Sequence, residues 1–456
     1  MRSHYLAMCQ ARVSLAGLVI FLLVASSGRA QPPIDVVQQW NVIAEDTVVP
    51  KAFQNEGLIY MAYVSAAMYD AAVAIRGGYQ PYGFEAACPA PAESHKKARF
   101  EPAVSPGASL DAAVVAAAYH TLRYYFSSDA ATLDARYAQS LAAIPDSPSA
   151  KSDGVSVGVA VAGQLICLRA GDGRQSLKLS TAFELRPPGP GVWRLTPPAY
   201  DLPQTPWVGE VTPFVLHRVT QFRPAPPPPL HSAKWIEQFN EVRDFGGNTN
   251  PNTAQTATAL FWVANVIRQY NRLGRDLATA GALDVLDTAR LLAIINVVGA
   301  DAQIADMHWK YTFLFWRPVT AIDPCSVTND GFGPAACDPD DLDSDRNPAT
   351  LEHVGWRPLV ATPNHPEYPG AHGSITGAMS EVLTWFRGTD RIDIDMHGTA
   401  TLTAVRHFDT AEQLREEIVN ARLWAGLHYR GSSEAGVKLG QKVARFDLRH
   451  AFGTER

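Results

Sequence analysis

Residues 58–75, LIYMAYVSAAMYDAAVAI, decide the fold class of this chain, because apolar residues recur in them at spacings of three and four. That period matches one face of an α-helix and differs from the strict alternation of a half-buried strand. Alanine, which has the highest intrinsic helix propensity, occupies many of the remaining positions. The segment therefore predicts a long helix.

The same helical pattern recurs along most of the chain, and no interval shows convincing strand alternation. We therefore predict an all-α fold. Further helices are predicted at residues 110–126, 134–144, 154–168, 233–245, 253–273, 284–298, 301–316, 374–386, 410–427 and 433–446.

A Pro-rich stretch, residues 186–230, separates these helices into two groups. Proline removes a backbone donor and fixes φ, so the stretch is expected to be neither helix nor central strand. Its aromatic residues favour an ordered coil that wraps over the surface, and a flexible linker is the alternative. These aromatic anchors are Trp193, Tyr200, Trp207 and Phe214. The division predicts two packed helical bundles, residues 31–230 and residues 231–456.

Residues 1–30 have the features of a secretory signal peptide. Arg2 and Arg12 supply positive charge, a short apolar run follows, and small residues at Gly28 and Ala30 suit cleavage. The apolar run is too short to span a bilayer well, although a retained membrane anchor is the alternative. We therefore expect a periplasmic or secreted protein after cleavage near Ala30.

Cysteine usage fits that location. Removal of the signal takes Cys9 with it and leaves four cysteines, an even number that permits two disulfides outside the cytoplasm. Cys325 and Cys337 bracket a loop rich in Gly, Pro and Asp, so they are expected to pair. A bond between Cys88 and Cys167 then follows by elimination.

Length and charge limit the classes of function. The chain has 456 residues, enough for one large core or for two fused halves. Its net charge is −6, so no broad basic surface for nucleic acid is expected. A site for an anion therefore has to be a local cluster of positive groups.

A first cluster of this kind is formed by Lys310 and Arg317, which are seven residues apart in KYTFLFWRP. Seven residues are two helical turns, so both cations are predicted to share one face of a helix. Burial of two cations among aromatic residues is costly without a counter-charge, and a bound anion removes that cost. The alternative is a pair of surface cations whose alkyl stems cover apolar residues.

A second cluster lies in YPGAHGS, residues 368–374, a loop that is predicted to enter a helix. Backbone N–H groups at a helix start attract anions, and the small residues Gly370 and Ala371 allow a ligand to approach them closely. His372 offers a hydrogen bond or proton transfer to that ligand. The alternative is a capping loop with an incidental histidine.

A third cluster lies in RLWAGLH, where Arg422 and His428 are predicted to end a helix. The arginine fork of donors suits an oxyanion, and a neutral imidazole can ligate a metal or act as a nucleophile. A structural histidine near a helix end is the alternative.

Together and in this order, the spacings Lys-x6-Arg-Pro, Pro-x-x-His and Arg-x5-His form the signature shared by vanadium haloperoxidases and type 2 phosphatidic acid phosphatases. The chain resembles the haloperoxidase branch over nearly its whole mature length, which implies the helical fold of vanadium chloroperoxidases and acid phosphatases. Similar stretches include AMYDA (67–71), LRAGDG (168–173), PGVW (190–193), FWRPVTAI (315–322) and HPEYP (365–369).

The resemblance implies a vanadate-dependent haloperoxidase, which oxidises a halide with hydrogen peroxide to hypohalous acid. His428 is then the residue that binds vanadium. The vanadate oxygens are held by Lys310, Arg317, Arg422 and His372 and by the backbone N–H groups of Gly370 and Ala371. His372 also manages protons, and Lys310 polarises the peroxide. The organic acceptor of the oxidised halide stays undefined.

Two departures from the family pattern bear on activity. The family usually has Ser where this chain has Gly370, and a family Gly is Ala371 here. Many relatives also carry Asp four residues after the metal-binding His, where this chain has Ser432. An imidazole without a carboxylate partner is a less basic and less firmly oriented ligand. Glu434 is a candidate substitute.

His365 stands where bromoperoxidase-like members carry a second pocket histidine, which by resemblance favours bromide or iodide over chloride. The alternative is a plain loop residue. Two other functions also stay open. One is an acid phosphatase that uses His428 as nucleophile and His372 as acid. The other is an oxyanion-binding homologue with weakened catalysis, which Gly370 and Ser432 favour.

Residues 341–352 have oxygen-bearing side chains at positions 1, 3, 5 and 12 of a calcium loop. Arg346 replaces the expected turn glycine and Pro348 follows soon after, so the segment favours a solvated acidic loop over a calcium site. The oligomeric state is open, although paired helical bundles often associate into homo-oligomers.

Overall fold

The computed structural model describes residues 35–85, 87–88, 99–174, 183–187, 189–324, 347–398 and 404–455. They belong to one compact unit, Ile34–Arg456. The predicted signal peptide and the predicted bond between Cys325 and Cys337 lie outside the described residues. So do residues 341–346 of the acidic segment that was weighed as a calcium loop. These expectations stay predictions.

Thirteen α-helices are present in the described ranges, as the all-α prediction requires. In chain order they are α1 (Val36–Val48), α2 (Gln54–Arg76), α3 (Leu110–Tyr125), α4 (Ala130–Ala143), α5 (Pro148–Leu168), α6 (Ala233–Phe245), α7 (Thr253–Phe261), α8 (Val266–Ala280), α9 (Val285–Phe313), α10 (Pro318–Ile322), α11 (Ala371–Arg387), α12 (Ala411–Trp424) and α13 (Arg430–His450).

Helix α9 joins two predicted helices into one of 29 residues. Gly299, which separated the two in the sequence, lies buried within it, so packing overrides the low helix propensity of glycine. The opposite occurs at residues 253–273, where Asn265 starts a new helix. Its side chain accepts the backbone N–H groups of Ile267 and Arg268, which caps α8.

A β-hairpin contradicts the prediction that no interval forms strands. Strand β1 (Arg391–His397) pairs in antiparallel fashion with β2 (Val405–Thr410). In β1 the apolar residues Ile392, Ile394 and Met396 are buried and alternate with residues that are mostly exposed. This is the period of a half-buried strand, present over only seven residues.

Helices α2 and α9 pack against each other in the main hydrophobic core, which takes side chains from both sides of residue 230. Helix α2 is long and apolar enough to cross a membrane, the one such helix in the described part of the chain. However, 89% of its most apolar window is buried inside the protein. We therefore describe it as a core helix. The division into halves at residue 230 stays a prediction.

The Pro-rich stretch follows the surface as a coil, with one short 3-10 turn at Pro206–Glu210. The exposed fractions of Trp193, Trp207 and Phe214 are 1%, 6% and 8%, so three of the four predicted anchors are buried as expected for an ordered coil, whereas Tyr200 is partly exposed. Asp301 of α9 secures it by accepting three successive backbone N–H groups at 2.6 to 3.0 Å. Their donors are Phe214, Val215 and Leu216.

Cys88 and Cys167 form a disulfide, which confirms the pairing expected by elimination. The bond ties the segment after α2 to the last turn of α5. The backbone N–H of Cys88 also donates to the Gln164 side chain at 2.9 Å, so the segment is held at a second point.

Helices α11 and α13 approach so closely that glycine is required where their backbones meet. A Cβ added at Gly377 would collide with the carbonyl oxygen of Val437, and one added at Gly440 with that of Ser374. Helix α11 begins within the second motif and α13 begins just after the third. The glycine contact therefore sets the distance between those two motifs.

Gly377→Ala is expected to lower the free energy of unfolding by about 1–3 kcal/mol, because the added methyl group forces the two helices apart. Thermal or chemical denaturation measures the change. Gly163→Ala in α5 is the matched control, since nothing lies within 4 Å of its added Cβ. That variant should be neutral or more stable by up to about 1 kcal/mol. Equal loss in both variants would contradict the packing argument.

Asp447 near the end of α13 is a fully buried carboxyl, and neither of its oxygens has a hydrogen-bond partner among the described residues. Burial, with the nearby charge of Asp301, raises its pKa well above the usual range. A carboxyl whose pKa is raised by folding stabilises the protein at low pH, and this stabilisation is lost as pH rises through the folded-state pKa.

Asp447→Asn should therefore become more stable than the wild type as pH rises, because the amide cannot ionise. We expect the difference in melting temperature to widen as pH rises above about 4, the ordinary pKa of an aspartate carboxyl. Asp390→Asn, at an exposed carboxylate, is the control and should show no such trend. A constant difference across this range would show that Asp447 does not titrate there.

Candidate active site

The second and third motif segments meet at a cavity of 880 Å³. The predicted site residues in its wall are His365, Ala371, His372, Arg422 and His428. Lys310 and Arg317 of the first segment are fully buried behind this wall. The structure thus brings all three segments together, although their roles differ from a simple ring of ligand contacts.

Lys310, in the last turn of α9, directs its ammonium group at main-chain carbonyls. Nζ donates to Pro366 O at 3.1 Å, to Glu367 O at 2.9 Å and to Pro369 O. These three bonds use the full donor capacity of an ammonium group. Burial lowers the pKa of Lys310 to about 8. Lys310 therefore holds the loop before α11 and acts on the cavity through its charge.

Arg317 does not share a helix face with Lys310, so that prediction is wrong. Helix α9 ends at Phe313, and Leu314 takes a left-handed conformation with φ 51°. Arg317 then lies in extended backbone at the start of α10, as expected for a residue that precedes proline. The turn at Leu314, rather than helical period, delivers the guanidinium to the site.

The Arg317 guanidinium links His428 of the third motif to His365 of the loop before α11. Nη1 lies 3.2 Å from His428 Nε2, and Nη2 lies 3.1 Å from His365 Nδ1. The same group donates to the carbonyls of His365 and Leu427, each at 3.0 Å. Burial lowers the pKa of Arg317 to about 10. This one side chain therefore fixes both imidazoles relative to each other.

Arg422 lies in the last turn of α12, as predicted, and is 3% exposed. Its Nη1 donates to Trp262 O at 3.1 Å, while its Nε is buried with no hydrogen-bond partner among the described residues. Burial, followed by the charge of Arg317, lowers its pKa to about 9. A buried guanidinium with an unused donor in a cavity wall is equipped to hold an anion.

His428 lies in the connection between α12 and α13, after Gly426 has ended α12 with φ 73°. Its Nδ1 is 2.8 Å from Glu367 Oε1, which also accepts the Tyr429 N–H at 3.1 Å. The expectation that this imidazole lacks a carboxylate partner is therefore wrong. The partner is Glu367, whereas Glu434 lines a separate surface groove.

His372 is the second residue of α11, which begins at Ala371, three residues earlier than predicted. Its Nε2 is buried without a hydrogen-bond partner among the described residues. Burial and the charges of Arg422 and Lys310 lower its pKa well below the usual range. The lowered pKa favours the neutral imidazole, and its buried Nε2 is an unused nitrogen in a residue that lines the cavity.

Gly370 and Ala371 differ in the hydrogen bonding of their backbone N–H groups. The N–H of Gly370 donates to Ser432 O at 2.8 Å, so it is committed within the protein. A Cβ at Gly370 would lie 3.0 Å from the Cα of Ser433, which explains why the smallest residue fits where the loop meets α13. Ala371 lines the cavity at the first position of α11, where backbone N–H groups have no intrahelical acceptor.

His365 is 8% exposed and lies in the cavity wall. Its Nδ1 lies 3.1 Å from Arg317 Nη2 and 3.1 Å from the carbonyl oxygen of Pro366. Burial and the charge of Arg317 lower its pKa well below the usual range. A plain loop role does not account for this placement, although its effect on the halide stays a prediction.

Two carboxylates of the site were not predicted. Asp306 lies 3.8 Å from Lys310 Nζ, and its spacing of four residues on α9 was the available signal. Glu367 stands in the HPEYP stretch beside His365, but sequence spacing alone does not show that it reaches His428. Burial raises the pKa of each carboxyl to about 7.

The balance of charge suits an oxyanion. Three buried cations face two carboxyls with raised pKa, so positive charge is in excess. The unused nitrogens of Arg422 and His372 lie among these cations. The buried cations beside the cavity histidines repel a free metal cation, and no cluster of three His, Cys, Asp or Glu within the described residues suggests a different metal site. The residues present therefore fit vanadate or phosphate.

Comparison with known proteins points to one family. Residues 290–453 match the family model of the VCPO second helical-bundle domain. Vanadium chloroperoxidase of Curvularia inaequalis is 26% identical over 240 residues, which are 41% of this chain and 38% of that protein. The alignment thus spans about two fifths of that relative's length.

Solved structures show the same fold. A bacterial vanadium-dependent iodoperoxidase superposes with a TM-score of 0.73 at 22% identity, covering 92% of this chain and 97% of that one. The apo form of a bacterial vanadium-dependent chloroperoxidase gives a TM-score of 0.61 at 17% identity, over 87% and 94% of the two chains. With the matched helical bundle, these likenesses show that the chain has the helical fold of vanadium-dependent haloperoxidases.

Proposed function

We propose that the protein is a vanadate-dependent haloperoxidase that oxidises a halide with hydrogen peroxide to hypohalous acid. The observation that carries this proposal is a cavity whose wall holds Arg422 and His428, with the buried cations Lys310 and Arg317 behind that wall. Excess buried positive charge favours an oxyanion, and an imidazole lone pair can ligate its central atom. Relatives described as iodoperoxidase and chloroperoxidase support peroxide and halide as the reactants.

Vanadate, when bound, would supply a Lewis-acidic centre that activates peroxide without a change in its own oxidation state. His428 would ligate it through Nε2, and Arg422 would hold its oxygens through the unused Nε donor. Lys310 and Arg317 would stabilise the negative charge from behind the wall. Such preorganised charge is the main catalytic resource of sites of this kind.

His372 is the group that would hold and move a proton in the cavity, because its buried Nε2 has no other partner in the described residues. Its lowered pKa keeps the imidazole neutral, so it can accept a proton and return it. The same lowering of the pKa of His428 keeps that imidazole available as a neutral ligand.

Halide preference and location extend the proposal. His365, held by Arg317 in the cavity wall, supports bromide or iodide over chloride. The disulfide between Cys88 and Cys167 supports a periplasmic or secreted protein, because disulfides persist in oxidising compartments.

A phosphatase is the second candidate, since phosphate shares the shape and charge of vanadate. Here the Nε2 atom of His428 would be the nucleophile and His372 the acid. The backbone N–H of Gly370 already donates to Ser432 O, and glycine has no hydroxyl group to bind an anion. Both features favour a third candidate, an oxyanion-binding homologue with weakened catalysis.

Purified mature protein is expected to brominate a phenolic dye when peroxide, bromide and orthovanadate are all present. His428→Ala should lower this rate by at least about 100-fold, because the residue that ligates vanadate is lost. The assay is run beside hydrolysis of a phosphate monoester by the vanadate-free protein. Phosphate release that depends on His428, without bromination, would replace the proposal by the phosphatase. Vanadate binding with neither activity would favour the weakened homologue.

His365→Phe is expected to lower the ratio of kcat/KM for bromide to that for chloride by about tenfold, the effect of one lost polar contact. His365→Gln keeps an acceptor for Arg317 and is the matched control, with a smaller change expected. Steady-state halide kinetics at saturating vanadate measure both ratios. An unchanged ratio in a folded His365→Phe variant would remove His365 from halide selection.

A further inference from the structure

Glu367 is fully buried against the Nδ1 edge of His428 and is not part of the cavity wall. Its carboxylate oxygens accept hydrogen bonds from residues of one short stretch of chain. Oε1 lies 2.8 Å from His428 Nδ1 and accepts the Tyr429 N–H at 3.1 Å, while Oε2 accepts the Ser432 hydroxyl at 2.5 Å. The carboxylate therefore forms hydrogen bonds with residues on both sides of the first residue of α13.

These contacts determine which nitrogen of His428 carries the proton. Arg317 Nη1 lies 3.2 Å from Nε2 and can only donate, so Nε2 must be the acceptor. Nδ1 then carries the proton and donates it to Glu367. Two independent neighbours, one on each edge of the ring, thus select the same tautomer. That tautomer places on Nε2 the lone pair that a ligand or nucleophile requires, and a bound oxyanion would take the place of the Arg317 donor there.

We propose that Glu367, supported by Ser432, is the positioning carboxylate of this site, and that it sets the tautomer and basicity of His428 for oxyanion binding. The inference rests on the proposed function. It also goes beyond it, because it assigns a role to two residues outside the cavity wall. Carboxylate partners of ligating imidazoles raise ligand basicity and fix ring orientation.

This arrangement compensates for the serine at position 432, where many relatives carry an aspartate. The carboxylate that many relatives carry at that place in the sequence is delivered here from the loop before α11. Ser432 contributes the hydroxyl that holds the second oxygen of that carboxylate. Lys310 completes the support, since its Nζ donates to the main-chain carbonyl of Glu367 at 2.9 Å. The loop, α9 and α13 therefore act together on one imidazole.

A purely structural role for Glu367 makes a different prediction, because a residue that only joins the loop to α13 would affect stability alone. Glu367→Gln separates the two roles. The amide keeps the size of the side chain and can still accept from Nδ1 while donating to Ser432. It lacks the negative charge that raises imidazole basicity.

The experiment measures vanadate Kd by calorimetry and the NMR signal of the His428 Nδ1 proton in vanadate-free protein. In the wild type that proton should be strongly deshielded, since it lies between a buried imidazole and a carboxylate. Glu367→Gln is expected to move the signal upfield and to raise vanadate Kd by about 10–100-fold, with melting temperature nearly unchanged. His428→Ala assigns the signal.

A rescue variant protects the test against misfolding. Glu367→Ala should lose the signal and weaken vanadate binding, and the added change Ser432→Asp should restore much of the affinity by returning a carboxylate near Nδ1. Glu434→Gln is the matched control on α13, because its side chain lines the separate groove. That variant should leave both readouts as in the wild type.

An unchanged Nδ1 signal together with a vanadate Kd within about twofold in Glu367→Gln would overturn the proposal. Loss of stability in both Glu367 variants with unchanged affinity would show a structural role instead. Failure of the wild type to bind vanadate would overturn the proposed function. In that case the proton signal of the vanadate-free protein still decides whether Glu367 positions His428.

Discussion

The burial of three cations around one cavity is the constraint on which the rest of this structure depends. Lys310 and Arg317 are fully buried and Arg422 is 3% exposed. Uncompensated charge of this kind is strongly unfavourable inside a protein. Main-chain carbonyls, mostly from the loop before α11, offset part of the cost, and two carboxylates offset more. The positive charge that is not offset attracts an oxyanion to the site.

The irregular parts of the fold follow from this constraint. A helix satisfies its own carbonyls, so carbonyls that solvate buried cations have to come from non-helical chain. The loop before α11 supplies them at residues 363–369, and the Pro-rich coil braces it where Gln204 N donates to Asn364 O at 2.6 Å. Asp301 anchors that coil to α9, the helix that carries Lys310. The coil is thus part of the site's framework.

Close helix packing provides the remaining precision. The glycine contacts between α11 and α13 bring His372 and the start of α13 into one region. Arg317 and Glu367 then hold opposite edges of the His428 ring. A family pattern can therefore change at single positions, such as Ser432, while the chemical surroundings of the imidazole are kept.

The sequence by itself determined the all-α class, most helix positions, three of the four buried aromatic anchors and the three motif segments. These follow from periodicity, proline content and spacing, which are local properties. Only tertiary structure decided that Leu314 turns the chain before Arg317, that Gly370 donates to Ser432, and that Glu367 partners His428. Residues 61 positions apart meet only when the fold is complete, so no local pattern encodes that contact. The short hairpin was a different case, since its alternation was present but too brief to outweigh its helical surroundings.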